Sequence, residues 1–431
     1  MVEAGAPGDA VLREAFRLGW PDVRHCVPKR IAEEARRYLT CGELRCGFVE
    51  VTCDGCESRR LLALRCRGRC WCPSCTTRRA LETGLHCEAV LPRVPHRQWT
   101  LSLPMPLRFR FVKHPRLLKH LERRLVQSVW RLQRAQARRL GVTAQLRGGA
   151  VCFRQYFGSS LQLTPHLHLL VPESLWTLSG DEVLLPPPSD ADVAAVLARL
   201  LRRVRRDWHD DDVWPDDEYE ALQVRTLQKP LALALESSHR RRRLAVAHGF
   251  SLHADTHVHA NDRDGLARLC RYGARGPISA SRLSRLDDGR YLYTPKKGVS
   301  FSLTAAQLVK RLVALVPPAH SHLTSFHGVF APHAKLRPLV TRPPSPPPQN
   351  PLPEAKPQRQ QPRRARIDWA TLHRRTFGNN VLTCPLCGGT RTVHALHSTR
   401  KAAEARLTEL GFSFPSRLPP QTAPPQLPLA V

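Results

Sequence analysis

Ten of the fourteen cysteines in this 431-residue chain lie between Cys26 and Cys87. The stretch around them is rich in arginine and has little apolar periodicity, so it is poorly suited to building a hydrophobic core of its own. The opening residues, MVEAGAPGDAVLREAF, lack an apolar signal core, and we therefore expect reduced thiols that are partly bound to metal. The clustering predicts a small module held together by a metal ion.

Two CxxC pairs with a 15-residue spacer stand out in the cluster: Cys53 with Cys56, and Cys72 with Cys75. Each pair can place two thiolates on one tight turn, and two such turns complete a tetrahedral zinc site. Cys66 and Cys70 lie in the spacer and could exchange into the ligand set. A structural zinc ion here would supply folding energy to a basic module.

A second cysteine motif lies near the end of the chain, in TCPLCGGTRTVHALH. Its potential zinc ligands are Cys384, Cys387, His394 and His397. The alternative is a CPxCGG turn whose histidines are incidental, since the span from cysteine to histidine is short for a zinc finger that uses two cysteines and two histidines. Both interpretations remain open from the residues alone.

The charge of the chain indicates a polyanionic partner. Lysine and arginine number 67 against 36 acidic residues, which gives a net charge of +31 and a pI near 10.7. Such an excess repels itself unless a polyanion or counterions screen it, and nucleic acid is the natural partner, with Arg67 and Arg69 as candidate phosphate contacts. No apolar run approaches the roughly 18–20 residues of a spanning helix, so we expect no membrane contact and a cytoplasmic, nucleoid-associated protein.

Local periodicity predicts the elements of the central region. Apolar positions three and four residues apart predict a basic amphipathic helix over 115–140 and another helix over 304–315. AVCFRQYF at 150–157, the turn GSS and the aliphatic run that follows predict a strand-turn-strand unit. The irregular order of short strands and helices favours an α+β fold, with an antiparallel sheet and helices on one face.

Composition also divides the chain into segments. Nine prolines between Pro343 and Arg366 indicate an extended linker, and the end of the chain is again rich in proline. We expect a helical lead (1–36), a zinc-binding domain (37–95), the antiparallel-sheet domain (96–340), the linker (341–366), a small zinc-ribbon-like module (367–412) and a disordered tail (413–431).

The aliphatic run LQLTPHLHLLVPE at 161–173 carries two histidines in its middle, His166 and His168. Side chains alternate along a strand, so both imidazoles point to the same face and could grip a metal ion. They could also be ordinary histidines of a half-exposed strand. His257 and His259 have the same spacing, and spacing alone does not choose between the two pairs.

Tyr272 lies in GLARLCRYGARGP, a predicted helix. Leu266, Leu269 and Tyr272 are three residues apart, which favours an aromatic ring on the buried stripe. The functional alternative is an exposed phenol that attacks a phosphate among neighbouring cations. Those cations are Arg268, Arg271 and Arg275.

Taken in order, these segments resemble the transposases of insertion-sequence-91-type elements and their common-region relatives. Those proteins belong to the histidine-hydrophobic-histidine superfamily of single-strand endonucleases. The resemblance covers about residues 20–340 and continues into the late module. It is carried by CGELRCGF, CDGC, LRCRGR, CPSCTTRR, PRVPHRQWTLSLP, FGSSLQLTPHLHLLV, SLHAD, RLCRYGARGPIS, HGVFAPHAKLR and VLTCPLCGG.

The resemblance implies roles for individual residues. It makes His166 and His168 ligands of a divalent ion, Mg²⁺ or Mn²⁺, and Tyr272 the nucleophile. The residues themselves suggest Gln162 as the third ligand, since it points to the same face four residues before His166, with His253 as a second choice. His257 and His259 fall where the family pattern has no ligand pair. Two positions depart from the pattern: Gly276 replaces a proline, and Thr164-Pro165 replaces an asparagine-containing lead.

The implied activity is a DNA transposase that nicks and rejoins single-stranded DNA at the element ends through a 5′-phosphotyrosine link. Because the motif holds a single tyrosine, the enzyme must either release one covalent link before making another or use two protomers, and the second route would involve self-association. Two alternatives remain open: a zinc-dependent DNA-binding regulator without catalysis, and a replication initiator or relaxase with the same chemistry.

Overall fold

The computed structural model describes residues 7–207, 221, 242–296, 298–341, 372, 374–375 and 380–413. By their contacts these residues form two compact units. The first contains residues 40–66 and 381–413, and the second contains the rest. Almost all of the expected linker and tail lies outside the described residues.

The first unit is built on a three-stranded antiparallel sheet. Strand Phe48–Cys53 lies in the middle, between Arg59–Ala63 and Arg391–His397. Helix Arg400–Glu409 packs Ala403 and Leu407 against Phe48 to form the small core of the unit. The strand from the late part of the chain therefore completes a sheet begun by the cysteine-rich region.

The second unit centres on a seven-stranded sheet whose pairings are all antiparallel, as predicted. The strands lie in the order Thr324–Gly328, Gly149–Phe157, Leu163–Pro172, His96–Ser102, Phe250–His253 and Leu244–Ala247, and His257–Val258 also pairs with His96–Ser102. Leu163–Pro172, called here the histidine strand, lies near the middle of this order. Smaller sheets pair Leu283–Arg285, Tyr291–Tyr293 and Phe301–Leu303, and Ser174–Trp176 with Glu182–Leu184.

The described α-helices of the second unit confirm the predicted amphipathic segments. The helix expected over 115–140 is Pro115–Arg139, called here the long helix, and the one expected over 304–315 is Ala305–Ala314, which begins with a Thr304/Gln307 capping box. The other helices are Pro7–Gly19, Lys29–Leu39, Pro73–Val90, Met105–Lys113, Asp190–Asp207, Arg263–Ala274 and Arg337–Val340.

Helices pack on both faces of the large sheet, where the sequence predicted one face. Arg154 of strand Gly149–Phe157 forms an ion pair with Glu122 of the long helix. Its neighbour Phe153 points to the other face, where its ring lies against Gly273 of helix Arg263–Ala274. Short aliphatic strands give no local sign of being covered on both sides. Among the described residues, no helix has the length and apolar character needed to cross a membrane.

Candidate active site and cysteine cluster

The histidine strand brings His166 and His168 to one face, with their ring centroids 4.8 Å apart. The strand pairs on both sides, so the two histidines are held by neighbours in register. His168 lies opposite Thr100 on one side and Phe153 on the other, and His166 lies opposite Gln155. His168 is buried and His166 half-buried. The pair is thus fixed by the centre of the sheet rather than by a loop.

The ring nitrogens of the pair suit a metal ion. His166 Nδ1 lies 2.7 Å from the Thr164 carbonyl oxygen, which can only accept, so Nδ1 carries the proton and Nε2 keeps a lone pair. His168 Nε2 is buried and has no hydrogen-bond partner within the described residues. Burial lowers the pKa of both imidazoles, which keeps them neutral. Two neutral imidazoles on one face can hold a divalent ion.

Two side chains of the neighbouring strand support His168. Thr100 Oγ1 lies 3.2 Å from His168 Nδ1 and can accept a hydrogen bond from an Nδ1–H, which leaves Nε2 as the lone-pair nitrogen. Gln98 Nε2 lies 3.1 Å from the same Nδ1. A half-turn of that amide would place its oxygen there instead, so both side chains can hold a protonated Nδ1.

Helix Arg263–Ala274, called here the tyrosine helix, presents Tyr272 beside the histidine pair. The tyrosine ring lies 5.9 Å from the His168 ring in an edge-on arrangement, and 43% of Tyr272 is exposed. The prediction of a buried ring, made from residue spacing alone, is wrong. The helix buries Leu266, Cys270 and Gly273 instead, a stripe offset by one position in its last turn.

Gln155 ties the tyrosine helix to the sheet, a role that the sequence analysis missed. Its Nε2 donates hydrogen bonds to the carbonyls of Tyr272 and Gly273, at 2.8 and 2.9 Å. Its backbone lies opposite His166 in the sheet. Its Oε1 is buried and has no partner in the described part of the chain. No local pattern marks a glutamine inside a strand for such a role.

Close approach of the tyrosine helix requires glycine at two contacts. A Cβ on Gly273 would lie 2.6 Å from the Phe153 ring. In helix Pro73–Val90, a Cβ on Gly84 would lie 2.6 Å from the Arg271 side chain and 2.9 Å from the Ala267 carbonyl. All of these distances are shorter than a normal van der Waals contact. A side chain larger than glycine at either position would therefore push the tyrosine helix away from its neighbour.

The predicted arginines occupy different surroundings. The Arg275 guanidinium stacks on Tyr272 and Phe157, at 4.7 and 5.0 Å from the ring centroids. Arg268 and Arg67 are exposed. Arg271 covers Gly84, and Arg69 donates to the Ser321 carbonyl at 2.9 Å. Arg275 is therefore the predicted cation that lies against the tyrosine ring.

Gln162, the expected third ligand, precedes the histidine strand rather than lying in it. Its Oε1 accepts a hydrogen bond from the Ser160 amide at 2.8 Å, which holds the turn between the strands. His253, the second choice, lies opposite Thr100 on strand Phe250–His253. The rival pair His257 and His259 is exposed, on and just after the short strand His257–Val258.

Four thiols of the first unit converge: Cys53, Cys56, Cys384 and Cys387. All four Sγ atoms lie within 4.8 Å of one another, with Cys53 and Cys387 at 3.4 Å and Cys56 and Cys384 at 3.6 Å. Four cysteine thiolates are the donor set of a tetrahedral structural zinc site. A hydrogen bond with Ser58 Oγ lowers the pKa of the Cys384 thiol to about 5, which favours the thiolate that zinc needs.

This cluster corrects the predicted ligand sets. Cys384 and Cys387, not Cys72 and Cys75, complete the group that begins with Cys53 and Cys56. The cause is the antiparallel pairing of strands Phe48–Cys53 and Arg391–His397, which places Cys53 opposite Arg391 and so joins two distant turns.

The two histidines predicted as zinc ligands in the late motif lie on a strand and do not join the cysteine cluster. His394 and His397 belong to Arg391–His397 and are not members of the cluster. The His397 ring packs 4.8 Å from the Phe48 ring, and its Nε2 lies 3.7 Å from a Glu50 oxygen. One cysteine pair from each predicted zinc site therefore joins this single cluster of four cysteines.

The predicted ligands Cys72 and Cys75 lie in the second unit. Cys72 precedes helix Pro73–Val90 and Cys75 lies in its first turn, and both are buried. In the first unit, Cys66 donates its backbone N–H to Cys41 Sγ at 3.2 Å. The assignment of Cys72 and Cys75 as zinc ligands stays a prediction.

Comparison with known families bears directly on these two sites. Residues 15–103 match the family model described as "Transposase zinc-binding domain", and residues 149–337 match the one described as "Putative transposase". The second match contains both the histidine strand and the tyrosine helix. The chain belongs to the insertion-sequence-91-type transposases. No curated protein and no solved structure matches this transposase.

Family membership makes this transposase a DNA-processing enzyme that binds DNA. The zinc-binding domain and the four converging thiols together support a structural zinc ion. The basic composition of the chain agrees with DNA as its partner, since a net charge of +31 attracts the phosphate backbone.

Proposed function

We propose that this transposase nicks and rejoins single-stranded DNA at the ends of its element, with Tyr272 as the nucleophile. The observation that carries the proposal is the position of an exposed tyrosine ring 5.9 Å from the buried His168 ring. An exposed phenol beside two neutral imidazoles is the arrangement that a metal-assisted attack on a phosphodiester needs.

His166 and His168 are the residues that would hold a divalent ion, Mg²⁺ or Mn²⁺, through their Nε2 atoms. Gln155 is a better third ligand than Gln162. Its Oε1 is buried without a partner in the described region, whereas the Gln162 oxygen is used in a turn. Amide oxygens are suitable ligands for such hard cations. When bound, the ion supplies positive charge that polarises the scissile phosphate and stabilises the charge that develops on it.

The protein side chains perform the bond exchange. The Tyr272 oxygen loses its proton and attacks phosphorus, the bond from phosphorus to the 3′ oxygen breaks, and that oxygen takes up a proton. The 5′ phosphate is then linked to the tyrosine. Attack by a 3′-hydroxyl on this link rejoins a strand and returns the phenol, and no ATP is needed because the phosphotyrosine bond conserves the energy.

Positioning of the phenol falls to Gln155 and Arg275. Gln155 holds the last turn of the tyrosine helix through two carbonyls. Arg275 lies over the Tyr272 ring, where its charge can meet an approaching phosphate. A single strand is the fitting substrate, because base stacking in a duplex would hinder a phosphodiester from reaching a tyrosine fixed on a helix.

The test is covalent trapping. Purified protein is mixed with end-labelled single-stranded oligonucleotides from the flanks of its own gene and with Mg²⁺ or Mn²⁺, and denaturing gels are searched for label that migrates with protein. We expect an adduct that disappears in Tyr272→Phe and in His168→Ala. His257→Ala, from the rival histidine pair, is the matched control and should keep the adduct. Binding without an adduct would favour a DNA-binding regulator.

A further inference from the structure

A cavity of about 570 Å³ lies on the face of the large sheet opposite to Tyr272. Strand alternation sets this placement. Phe153 and Gln155 face the tyrosine helix, whereas Arg154 between them points to the long helix and into the lining of the cavity. The remaining walls come from the start of the long helix and from residues 319–327.

The floor of the cavity is an ion network in which a carboxylate is paired with cationic side chains. Arg154 donates to a Glu122 oxygen, to the His322 carbonyl at 2.6 Å and to Ser325 Oγ at 3.1 Å. His327 Nε2 lies 2.7 Å from the second Glu122 oxygen. Among the described lining residues, Glu122 is the only one with a carboxylate. Because both of its oxygens are engaged, the acid contributes little repulsion to an anion.

The rim of the cavity carries positive charge. Arg116, Lys119 and Arg123 are exposed and lie at i, i+3 and i+7 of the long helix, so they share one face. Within the described residues, none of the three has a carboxylate partner. At 1.5 Å per residue they span about 10 Å along the helix. Exposed His320 and His322 extend the same wall.

We propose that this cavity, called here the phosphate cavity, binds the phosphodiester backbone of a single nucleic-acid strand at a place separate from Tyr272. Solvated cations on a helix are common, but here three of them border a concave space whose one acid is already neutralised. A ligand with negative charges in sequence would pair with cations in sequence, and a strand of DNA supplies them. A second strand contact on the far face would let the enzyme hold DNA that the tyrosine does not touch.

The test compares two triple variants of the full-length protein. The rim variant combines Arg116→Gln, Lys119→Gln and Arg123→Gln, which removes the positive charge of the three rim residues. The control variant combines Arg131→Gln, Arg134→Gln and Arg138→Gln. It removes the same charge, at the same spacing, from a part of the same helix that lies outside the cavity. Binding of a fluorescein-labelled dT20 strand is followed by anisotropy from about 50 to 300 mM NaCl, after circular dichroism has shown that both variants fold.

Loss of two to three phosphate contacts should reduce the slope of log affinity against log salt by roughly 1.4 to 2 in the rim variant, at about 0.7 per phosphate of a single strand. Its affinity at 100 mM NaCl should fall at least tenfold, with little change in the control variant. Equal losses in both variants would mean that only the general charge matters, and no loss in the rim variant would mean that the cavity is unused. Either result overturns the proposal. The measurement needs no covalent chemistry, so it is independent of the role of Tyr272.

Discussion

His168 and Tyr272 face each other edge-on, with ring centroids 5.9 Å apart and an interplanar angle of 79°. The first is fixed at the centre of a sheet, and the second is exposed on a helix packed over that sheet. This pairing of a buried imidazole with an accessible phenol is where the proposed chemistry takes place.

Gln155→Ala should slow adduct formation far more than Gln162→Ala. The first variant removes two hydrogen bonds to the tyrosine helix and the proposed third ligand, whereas the second only loosens a turn. We expect the Mn²⁺ concentration for half-maximal adduct formation to rise about 10- to 100-fold in Gln155→Ala. The measurement is a metal titration of the single-turnover rate, and the opposite ranking would restore Gln162 as the ligand.

Gly273→Ala should destabilise the protein by about 1–3 kcal/mol, because the new methyl group would lie against the Phe153 ring. Thermal unfolding measures the loss. Replacing the Phe153 ring by a smaller side chain should relieve the clash. Gly273→Ala should therefore lower the free energy of unfolding less in a Phe153→Leu background than in the otherwise unchanged protein. Equal costs in the two backgrounds would show that the helix does not pack on Phe153 as described.

The zinc content of cysteine variants tests whether Cys53 and Cys384 belong to one zinc site or to two separate sites. Cys53→Ser and Cys384→Ser should each lose one zinc equivalent per chain, and the double variant should lose no more than either single variant, because both thiols serve the same cluster. Elemental analysis by mass spectrometry gives the counts. His394→Ala with His397→Ala is the control and should keep the full zinc content. Loss of two equivalents in the double cysteine variant would contradict the shared site.

Acid should destabilise the second unit partly through His96. Burial lowers the pKa of this imidazole from 6.5 to about 4, and its Nδ1 lies 2.7 Å from the Val94 carbonyl oxygen. The unfolded chain therefore binds the proton first, and stability falls as the pH drops from about 6.5 to 4, by about 3 kcal/mol for this group, and no further below 4.

In His96→Asn, which can still donate to Val94, that part of the pH dependence should be absent. Urea unfolding at pH 7.5 and pH 4.5 measures the change in each protein. An unchanged difference between the two pH values in the variant would exclude His96 as a source of the acid sensitivity.

Local patterns were enough for the long helix, whose apolar stripe is buried, and for the histidine strand and its partner Gly149–Phe157, whose apolar runs are separated by a turn. It failed at Tyr272, since spacing by three suggested one stripe while packing of Gly273 on Phe153 selects another. It also failed for the cysteines. Two of the partners of Cys53, Cys384 and Cys387, come from a turn that precedes strand Arg391–His397 near the far end of the chain, and ligand spacing carries no information on such pairing.

The most direct test of the central claim is to digest the covalent protein–DNA adduct with protease and nuclease and to map the modified peptide by mass spectrometry. We predict a nucleotide joined through its 5′ phosphate to Tyr272, formed only when Mg²⁺ or Mn²⁺ is present. A nucleotide on any other residue, or an adduct that forms equally well in His166→Ala/His168→Ala, would contradict it.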